Sequence, residues 1–358
     1  MLHRLAASLS LAMVVVACSD ETSSPEEEPF VTTGVNAAAT TTGTGASTNT
    51  TSSGDGAGAS GAGGAAPSEG PYPIVLAHGF FGFEEFAGVD FATYFFEVKE
   101  RLAQEGELEV FTPAVDPFND STTRGAQLLA HVESVLASTG KDKVVIIGHS
   151  QGGLDARVVA HDRPDLVAAV LTVATPHDGS PVADIALGIT ENPSASGIID
   201  DLVNAIGAPL YDQVGDETSV TAALHQFSTP GIAAFNASYP DAPGVFYASI
   251  TGRTDSHLGG QVCAPDADID LVTGWKMERD PTDPLFWLSE GILDAGDEPN
   301  DGLVRVRDAK RGEFWGCVPA DHMDEIGQLF GDDPGFGNAF DHRELFAGLV
   351  AELRARGF

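Results

Sequence analysis

The chain has 358 residues, 42% of them apolar, so it is long enough to bury a large core and still carry a tail. Its 18 Lys and Arg against 53 Asp and Glu give a formal charge of −35 at pH 7. Such a surface repels phosphate backbones, so nucleic acid is excluded as a partner. Calcium use and high-salt adaptation remain open, but we interpret the charge as serving solubility.

The N-terminus has the pattern of an export signal. Arg4 precedes an apolar run that ends at Ala17 and is too short for a permanent membrane span. The run closes with Val15-Val16-Ala17-Cys18, which resembles the bacterial lipobox, where the Cys is acylated and becomes the mature N-terminus. We therefore expect residues 1–17 to be a lipoprotein signal peptide and Cys18 to be lipidated, with ordinary cleavage nearby as the alternative.

This interpretation predicts an exported protein, either lipid-anchored at the cell envelope or secreted. It also leaves Cys263 and Cys317 as a pair among the three cysteines. An oxidising compartment favours a disulfide between them, and two free buried thiols are the alternative. Residues 18–70 consist mostly of Ser, Thr, Gly and Ala, which bury too little apolar surface to fold. We expect a disordered tether there, followed by a catalytic domain over 71–358.

From Pro71 onward, short apolar runs alternate with helical periodicity, which predicts an α/β fold with a mainly parallel sheet flanked by helices. Buried strands are predicted over 74–77, 144–147, 168–173 and 245–250. Amphipathic helices are predicted over 91–102, 128–136, 152–161 and 340–353.

An inserted helical cap is predicted at about residues 181–240. Ile198, Leu202 and Ile206 share one helical face, opposite Asp200 and Asp201. This periodicity does not distinguish a lid that opens onto oil from a helix packed permanently on the sheet.

The candidate nucleophile is Ser150, within a strand, a Gly-x-Ser-x-Gly motif and a helix. On such a sharp turn the serine hydroxyl projects from the sheet edge, while Gly148 and Gly152 leave room for the backbone. The expected oxyanion donors are the backbone N–H groups of Gln151 and of Phe80, which follows the strand that ends in His-Gly. We interpret His78 as a residue that orders this loop.

A serine hydroxyl needs an imidazole to take its proton and a carboxylate to orient that imidazole. In an α/β hydrolase the chain order is Ser, acid, His, and His322 lies in a polar loop where this fold places the base. Two acids are candidates, Asp301 in a turn and Asp255 after a strand. Spacing alone does not choose between them.

Five segments together resemble the true bacterial triacylglycerol lipases, which are lipase family I of the α/β-hydrolase superfamily. The resemblance spans most of 71–331 and is most specific where it runs through Pro181-Val182-Ala183-Asp184. The segments are Pro73–Phe80, Gly148–Gly153, Ala174–Asp184, Asn300–Val304 and Asp321–Asp324.

The resemblance implies that Asp301 is the triad acid and that one structural calcium lies near the catalytic His. The implied ligands are the carboxylates of Asp280 and Asp324 and the main-chain oxygens of Gln328 and Asp332, with Asp283 as the rival of Asp280.

The resemblance also implies hydrolysis of fatty-acid esters, and family members commonly need a lipase-specific foldase. We expect the protein to be a monomer. Two features depart from the family: Cys317 lies nearer His322 than expected, and a lipid anchor is not typical of secreted lipases. The predicted function is a triacylglycerol lipase. The alternatives are an esterase or polyester depolymerase with the same triad, and a non-catalytic surface lipoprotein.

Overall fold

The computed structural model describes residues 70–80, 94–189, 219–254, 263–266, 269–283, 286–293, 298–328, 334–335 and 337–358. The predicted signal peptide, Cys18, residues 18–69 of the tether and the apolar helix face at 198–206 lie outside these residues. So do the rival acid Asp255 and the implied ligand Asp332.

The described residues contain one six-stranded sheet in which every neighbouring pair is parallel, in the order β2-β1-β3-β4-β5-β6. The central strands are rich in Val and Ile and are buried at every residue, as a sheet covered on both faces requires. The strands are β1 Ile74–Ala77, β2 Val110–Phe111, β3 Val144–His149, β4 Val167–Val173, β5 Phe246–Gly252 and β6 Glu313–Val318.

Helices alternate with the strands along the described chain. Their bounds are α1 Val98–Gln104, α2 Ser121–Thr139, α3 Gln151–Asp162, α4 Pro181–Ala186, α5 Val220–Phe227, α6 Thr229–Ser238, α7 Asp270–Gly274, α8 Trp287–Leu293 and α9 His342–Ala355. The long helix α2 shows why the boundaries fall where they do. The Asp120 carboxylate accepts the N–H of Thr123 at its start, and Gly140 takes a left-handed φ of 70° at its end.

The sheet separates two apolar layers. Alternate residues of β3 point to opposite faces, so Val145 and Ile147 pack with α1 and α9, whereas Val144 and Ile146 pack with α2 and α3. No described helix is long and apolar enough to span a membrane.

The parallel sheet and flanking helices confirm the predicted fold class, and all four predicted strands are present within two residues of their expected bounds. The sequence did not predict β2, which has two residues, or β6, whose apolar pattern is interrupted by Gly316. The predicted helix over 91–102 is shorter than expected. Its described part begins only at Val98, because Glu97 has a left-handed φ of 53°.

A disulfide joins Cys263 to Cys317 on β6, with the two Cα atoms 5.8 Å apart. This separation is within the usual range for a disulfide, and the predicted pairing is confirmed. The bridge fastens the segment before α7 to the edge strand β6, which leads directly into the loop that carries His322.

Candidate active site

The predicted nucleophile lies at the turn between β3 and α3. Ser150 has φ 54° and ψ −127°, a strained backbone conformation for a residue other than glycine. The Ser150 N–H donates to the carbonyl of Val173 on β4, and the Ser150 carbonyl accepts from the hydroxyl of Thr175, both at 2.8 Å. A Cβ at Gly148 would lie 2.5 Å from the backbone of Gly152, and a Cβ at Gly152 would clash with the carbonyl oxygen of Ala77 on β1. The close approach of these strands and the helix therefore requires both glycines.

The structure brings the three predicted triad residues together. Nε2 of His322 lies 3.0 Å from Oγ of Ser150, and Nδ1 of the same ring lies 2.8 Å from Oδ2 of Asp301. Asp301 is fully buried, and His322 is nearly so. Because Nδ1–H donates a hydrogen bond to the carboxylate, the lone pair of Nε2 faces the serine hydroxyl.

The loops that follow β5 and β6 fix this arrangement. The other oxygen of Asp301, Oδ1, accepts the N–H groups of Leu303 at 2.8 Å and Val304 at 2.6 Å. The N–H of His322 donates to the carbonyl of Asp301 at 2.8 Å, so acid and base are also joined through their backbones. Asp301 is therefore oriented before any substrate binds.

The loop after β1 approaches the nucleophile closely. A Cβ at Gly79 would lie 2.7 Å from Cβ of Ser150, so only glycine allows this approach. The residue after Gly79 is Phe80. On the other side, Gln151 is the first residue of α3, so the Gln151 N–H has no carbonyl partner within the helix. Both predicted oxyanion donors therefore belong to segments that border Ser150.

A buried hydrogen-bond network orders this loop. The N–H of Val115 donates to Nε2 of His78, and the opposite ring nitrogen donates to the carbonyl of Gly79 at 2.9 Å. Burial lowers the pKa of His78 to about 3, so the ring is neutral. The loop-ordering role expected for this histidine is consistent with these bonds.

Arg124 anchors the same loop and was not predicted from the sequence. Its guanidinium donates to the carbonyls of His78 at 2.6 Å and Gly79 at 3.2 Å, and to a carboxylate oxygen of Asp155 at 2.8 Å. Neither charged side chain of this pair reaches solvent. Burial raises the pKa of Asp155 to about 6 despite the guanidinium, so desolvation outweighs the pairing.

A second buried group of polar side chains lies behind the catalytic imidazole. The Tyr94 hydroxyl lies 2.7 Å from Nδ1 of His149, whose Nε2 lies 3.2 Å from the Glu325 carboxylate. The rings of His149 and His322 are 4.7 Å apart, centroid to centroid. Burial holds the pKa of His149 well below its ordinary value and that of Glu325 well above it, so burial disfavours the charged form of both side chains.

An acidic cluster lies on the other side of the His322 loop. Asp280, Asp321 and Asp324 are buried, and each offers a carboxylate oxygen within 4.8 Å of the others. Burial raises the pKa of Asp280 to about 8 and that of Asp321 to about 7. Among the described residues, Oδ2 of Asp280 and Oδ2 of Asp321 have no hydrogen-bond partner. Such buried oxygens fit a hard divalent cation.

Two of the predicted calcium ligands, Asp280 and Asp324, meet in this cluster, together with Asp321, which was not predicted as a ligand. Asp280 is 1% exposed, whereas its rival Asp283 is partly exposed. Gln328 follows Asp324 closely in the chain and is buried, and its side-chain amide donates to the Tyr94 carbonyl. Its expected contribution through a main-chain oxygen stays a prediction.

Sequence comparison gives the family of this chain. Residues 72–195 match the family model described as the alpha/beta hydrolase fold. A triacylglycerol lipase of Vibrio cholerae is 36% identical over 73% of this chain and 81% of its own length. One of Pseudomonas fragi is also 36% identical, over 72% and 88%. The chain belongs to the bacterial triacylglycerol lipases. This membership confirms the resemblance drawn from the motifs and makes the chain a carboxylic-ester hydrolase.

Solved structures agree with the fold of this lipase family member. A Bacillus licheniformis lipase in its mature form matches with a TM-score of 0.50 and 19% identity, covering 74% of this chain and 90% of that protein. A metagenomic carboxyl esterase matches with a TM-score of 0.53 and 19% identity, covering 82% and 80%. At this identity the likeness concerns the fold alone.

Proposed function

We propose that this protein hydrolyses carboxylic esters of fatty acids, triacylglycerols among them, through an acyl-enzyme formed on Ser150. The observation that carries the proposal is the hydrogen-bonded series from Oγ of Ser150 through the His322 imidazole to Asp301, with distances of 3.0 and 2.8 Å. The family membership supports the substrate class, since the relatives are named triacylglycerol lipases.

In the first half of the reaction, Nε2 of His322 takes the hydroxyl proton while Oγ of Ser150 attacks the ester carbonyl carbon. Asp301 stabilises the resulting imidazolium through Nδ1. The N–H groups of Phe80 and Gln151 stabilise the negative charge that develops on the carbonyl oxygen. The imidazolium then protonates the departing alcohol oxygen, the carbon–oxygen bond breaks, and the acyl group stays on Ser150.

In the second half, water replaces the alcohol. His322 takes a proton from the water as its oxygen attacks the acyl carbon, and then returns that proton to Oγ of Ser150. The products are the free fatty acid and the original enzyme. The dipole at the start of α3 favours the oxyanion in both halves.

We further propose that one structural calcium ion binds the acidic cluster, held by Asp280 and Asp324, with Gln328 and Asp332 as the remaining expected ligands. The unbonded Oδ2 of buried Asp280 supports a cation there. The ion would neutralise the cluster and so hold the loop that follows β6 in place.

The exported, lipid-anchored state also remains our proposal. It rests on the apolar run that ends in Val15-Val16-Ala17-Cys18 and on the polar tether after it. Mass spectrometry of protein purified from a bacterial host that processes lipoproteins would find the mature chain starting at Cys18 with bound acyl chains. An unmodified chain cleaved elsewhere would contradict the anchor. We likewise propose that the protein is a monomer and that its folding depends on a foldase.

The test of the catalytic proposal compares the full wild-type chain with Ser150→Ala on two substrates, an emulsified long-chain triglyceride and a soluble short-chain ester. Ser150→Ala is expected to lower turnover on the order of a million-fold, because removing the nucleophile alone disables a triad. Ser134→Ala, in the exposed part of α2, is the matched control and should leave turnover unchanged.

The two substrates separate the alternatives. Serine-dependent release of fatty acid from the triglyceride supports the lipase, whereas activity on the short ester alone supports the esterase or polyester depolymerase. A folded wild-type chain with no activity on either substrate would refute the catalytic proposal and leave the non-catalytic lipoprotein.

A further inference from the structure

Asp321, the residue directly before His322, uses its two carboxylate oxygens differently. Oδ1 accepts the N–H groups of Met323 at 3.0 Å and Asp324 at 3.1 Å, which closes the turn after the catalytic histidine. Oδ2 has no hydrogen-bond partner among the described residues, although the side chain is 1% exposed. A buried anionic oxygen without a partner is costly, so Oδ2 needs a positive group.

The surroundings of Oδ2 are strongly negative. Oxygens of Asp280, Asp321 and Asp324 lie within 4.8 Å of one another, and the partly exposed Asp283 adds a further negative charge nearby. Among the described residues, Arg253 is a cationic side chain whose charge acts on Asp280, and its guanidinium donates to the carbonyls of Lys276 and Glu278 in the loop after α7. The charge of Arg253 alone does not balance three buried carboxylates.

The spacing of these oxygens matches a shared cation. Calcium binds oxygens at 2.3–2.6 Å, so two ligands of one ion lie at most about 5 Å apart. The carboxylate oxygens of the cluster meet this limit. One oxygen of Asp321 meets it while the turn holds the side chain through Oδ1, so the side chain is already fixed beside the other two carboxylates.

We propose that Asp321 is a third carboxylate ligand of the cation site, binding calcium through Oδ2 while Oδ1 holds the turn. The inference rests on the calcium proposal above and extends it to a residue that borders the catalytic base. Binding of the ion then acts on His322 through a single peptide bond, whereas Asp280 lies on a different loop.

The rival interpretation is that Asp321 only closes the turn. The two interpretations differ in what Asp321→Asn does. An asparagine keeps a side-chain carbonyl for the N–H groups of Met323 and Asp324, so a turn-closing role survives the change. The same substitution removes the negative charge and places an NH₂ group where Oδ2 stood. An NH₂ group cannot bind calcium, so a ligand role would be lost.

The experiment measures calcium binding by isothermal titration calorimetry on the full chain after chelation and dialysis. We expect Asp321→Asn to weaken the Kd at least about tenfold, equivalent to about 1.4 kcal/mol. Asp280→Asn is the positive comparison. Asp120→Asn is the matched control, because Asp120 also caps a helix through one oxygen but lies outside the cluster, and its Kd should stay within about twofold of wild type.

Each result decides the matter. A Kd for Asp321→Asn within twofold of wild type, with binding lost in Asp280→Asn, would overturn the proposal and leave Asp321 as a turn residue. A wild-type chain that binds no calcium would overturn the site itself. If circular dichroism shows Asp321→Asn to be unfolded, Asp321→Ser takes its place, since a serine hydroxyl still accepts from the turn but carries no charge.

Hydrolysis of the short ester by the same preparations keeps this proposal separate from the catalytic one. Serine-dependent turnover with unchanged calcium affinity in Asp321→Asn would leave the catalytic proposal standing and refute only the ligand. Absence of turnover with calcium bound would refute the catalytic proposal and leave the ligand intact.

Discussion

Two buried polar regions flank the triad, and they are stabilised in different ways. The loop that carries Phe80 is held by neutral His78 and by Arg124, whose guanidinium donates to backbone carbonyls and to Asp155. The acidic cluster at Asp280 leaves carboxylate oxygens without a hydrogen bond among the described residues. The first region contains its own cation, since Arg124 pairs with the buried Asp155, although Oδ1 of Asp155 also has no hydrogen-bond partner among the described residues. For the second region, the cation is the calcium ion that we propose above. On that proposal, the chain itself holds one side of the active site, and a bound ion holds the other.

Of changes to these two regions, Arg124→Met in the first region is expected to have the largest effect. Removing the guanidinium leaves Asp155 buried without its partner and deprives the carbonyls of His78 and Gly79 of their donor. We expect the free energy of unfolding to fall by about 3–5 kcal/mol, as for other buried pairs that lose one partner. Turnover of the folded fraction should fall about a hundredfold, because the oxyanion loop is displaced. Urea denaturation and steady-state kinetics measure the two effects.

Arg163→Met is the matched control for that experiment, since Arg163 makes ion pairs with Glu133 and Asp165 at the surface. Its stability and turnover should match wild type. Added calcium should stabilise Arg124→Met only as much as it stabilises wild type, so the differences in stability and turnover between the two proteins should remain. If calcium made either difference smaller, the two regions would be coupled and the comparison drawn between them would be wrong.

How much of this site the sequence predicts depends on whether the signal is local. Gly148, Ser150 and Gly152 are adjacent to a buried strand and a helix, so the motif and its flanks predict the turn and its nucleophile. Asp301 lies before a strand, β6, that was not predicted, so it was chosen over Asp255 only through the resemblance to the lipase family.

The sequence does not predict the supporting residues, because their partners lie far away along the chain. Arg124 and Asp155 face each other from two helices, and nothing in either helical pattern marks one as the partner of the other. Asp321 looks like an ordinary loop aspartate beside the histidine, and its role depends on Asp280, which reaches it from a separate loop. Local periodicity predicts elements, but contacts between distant segments become visible only in the folded chain.

A smaller expected effect is a dependence of stability on pH that arises from the acidic cluster. In the calcium-free protein the pKa values of Asp280 and Asp321 are raised to about 8 and about 7, and that of Glu325 is raised as well. Between pH 7 and 8 the folded state therefore binds more protons than the unfolded state, so stability falls as pH rises, by about 1.4 kcal/mol per pH unit for each proton. The histidines with lowered pKa are neutral in the folded state but still partly protonated in the unfolded state near pH 7, so they oppose this slope weakly.

Thermal unfolding of chelated protein at pH 7 and pH 8 measures this slope. Saturating calcium should abolish this fall, because the ion keeps the carboxylates ionised in the folded state, and it should stabilise the fold by about 2.7 kcal/mol at a hundred times its Kd. Asp280→Asn should flatten the slope in the absence of calcium. A chelated wild-type protein that is equally stable at both pH values would mean that the cluster is already neutralised within the chain.

The smallest expected effect comes from Tyr94→Phe, which sharpens the comparison at the border between the two regions. The Tyr94 hydroxyl bonds to His149, and the Tyr94 carbonyl accepts from the Gln328 side chain, so this residue contacts elements on both sides of the triad. Tyr94→Phe removes the hydroxyl's bond to His149 and its bond to the Gly79 backbone, and each should cost about 1 kcal/mol of stability, a typical net value for a hydrogen bond. The His149 ring then lacks one partner but stays packed against His322, so turnover should change less than about threefold.

Tyr239→Phe is the matched control, because among the described residues the Tyr239 hydroxyl makes a long contact of 3.4 Å to Thr122. A loss of turnover as large as that of Arg124→Met would instead place Tyr94 within the machinery that orients the base.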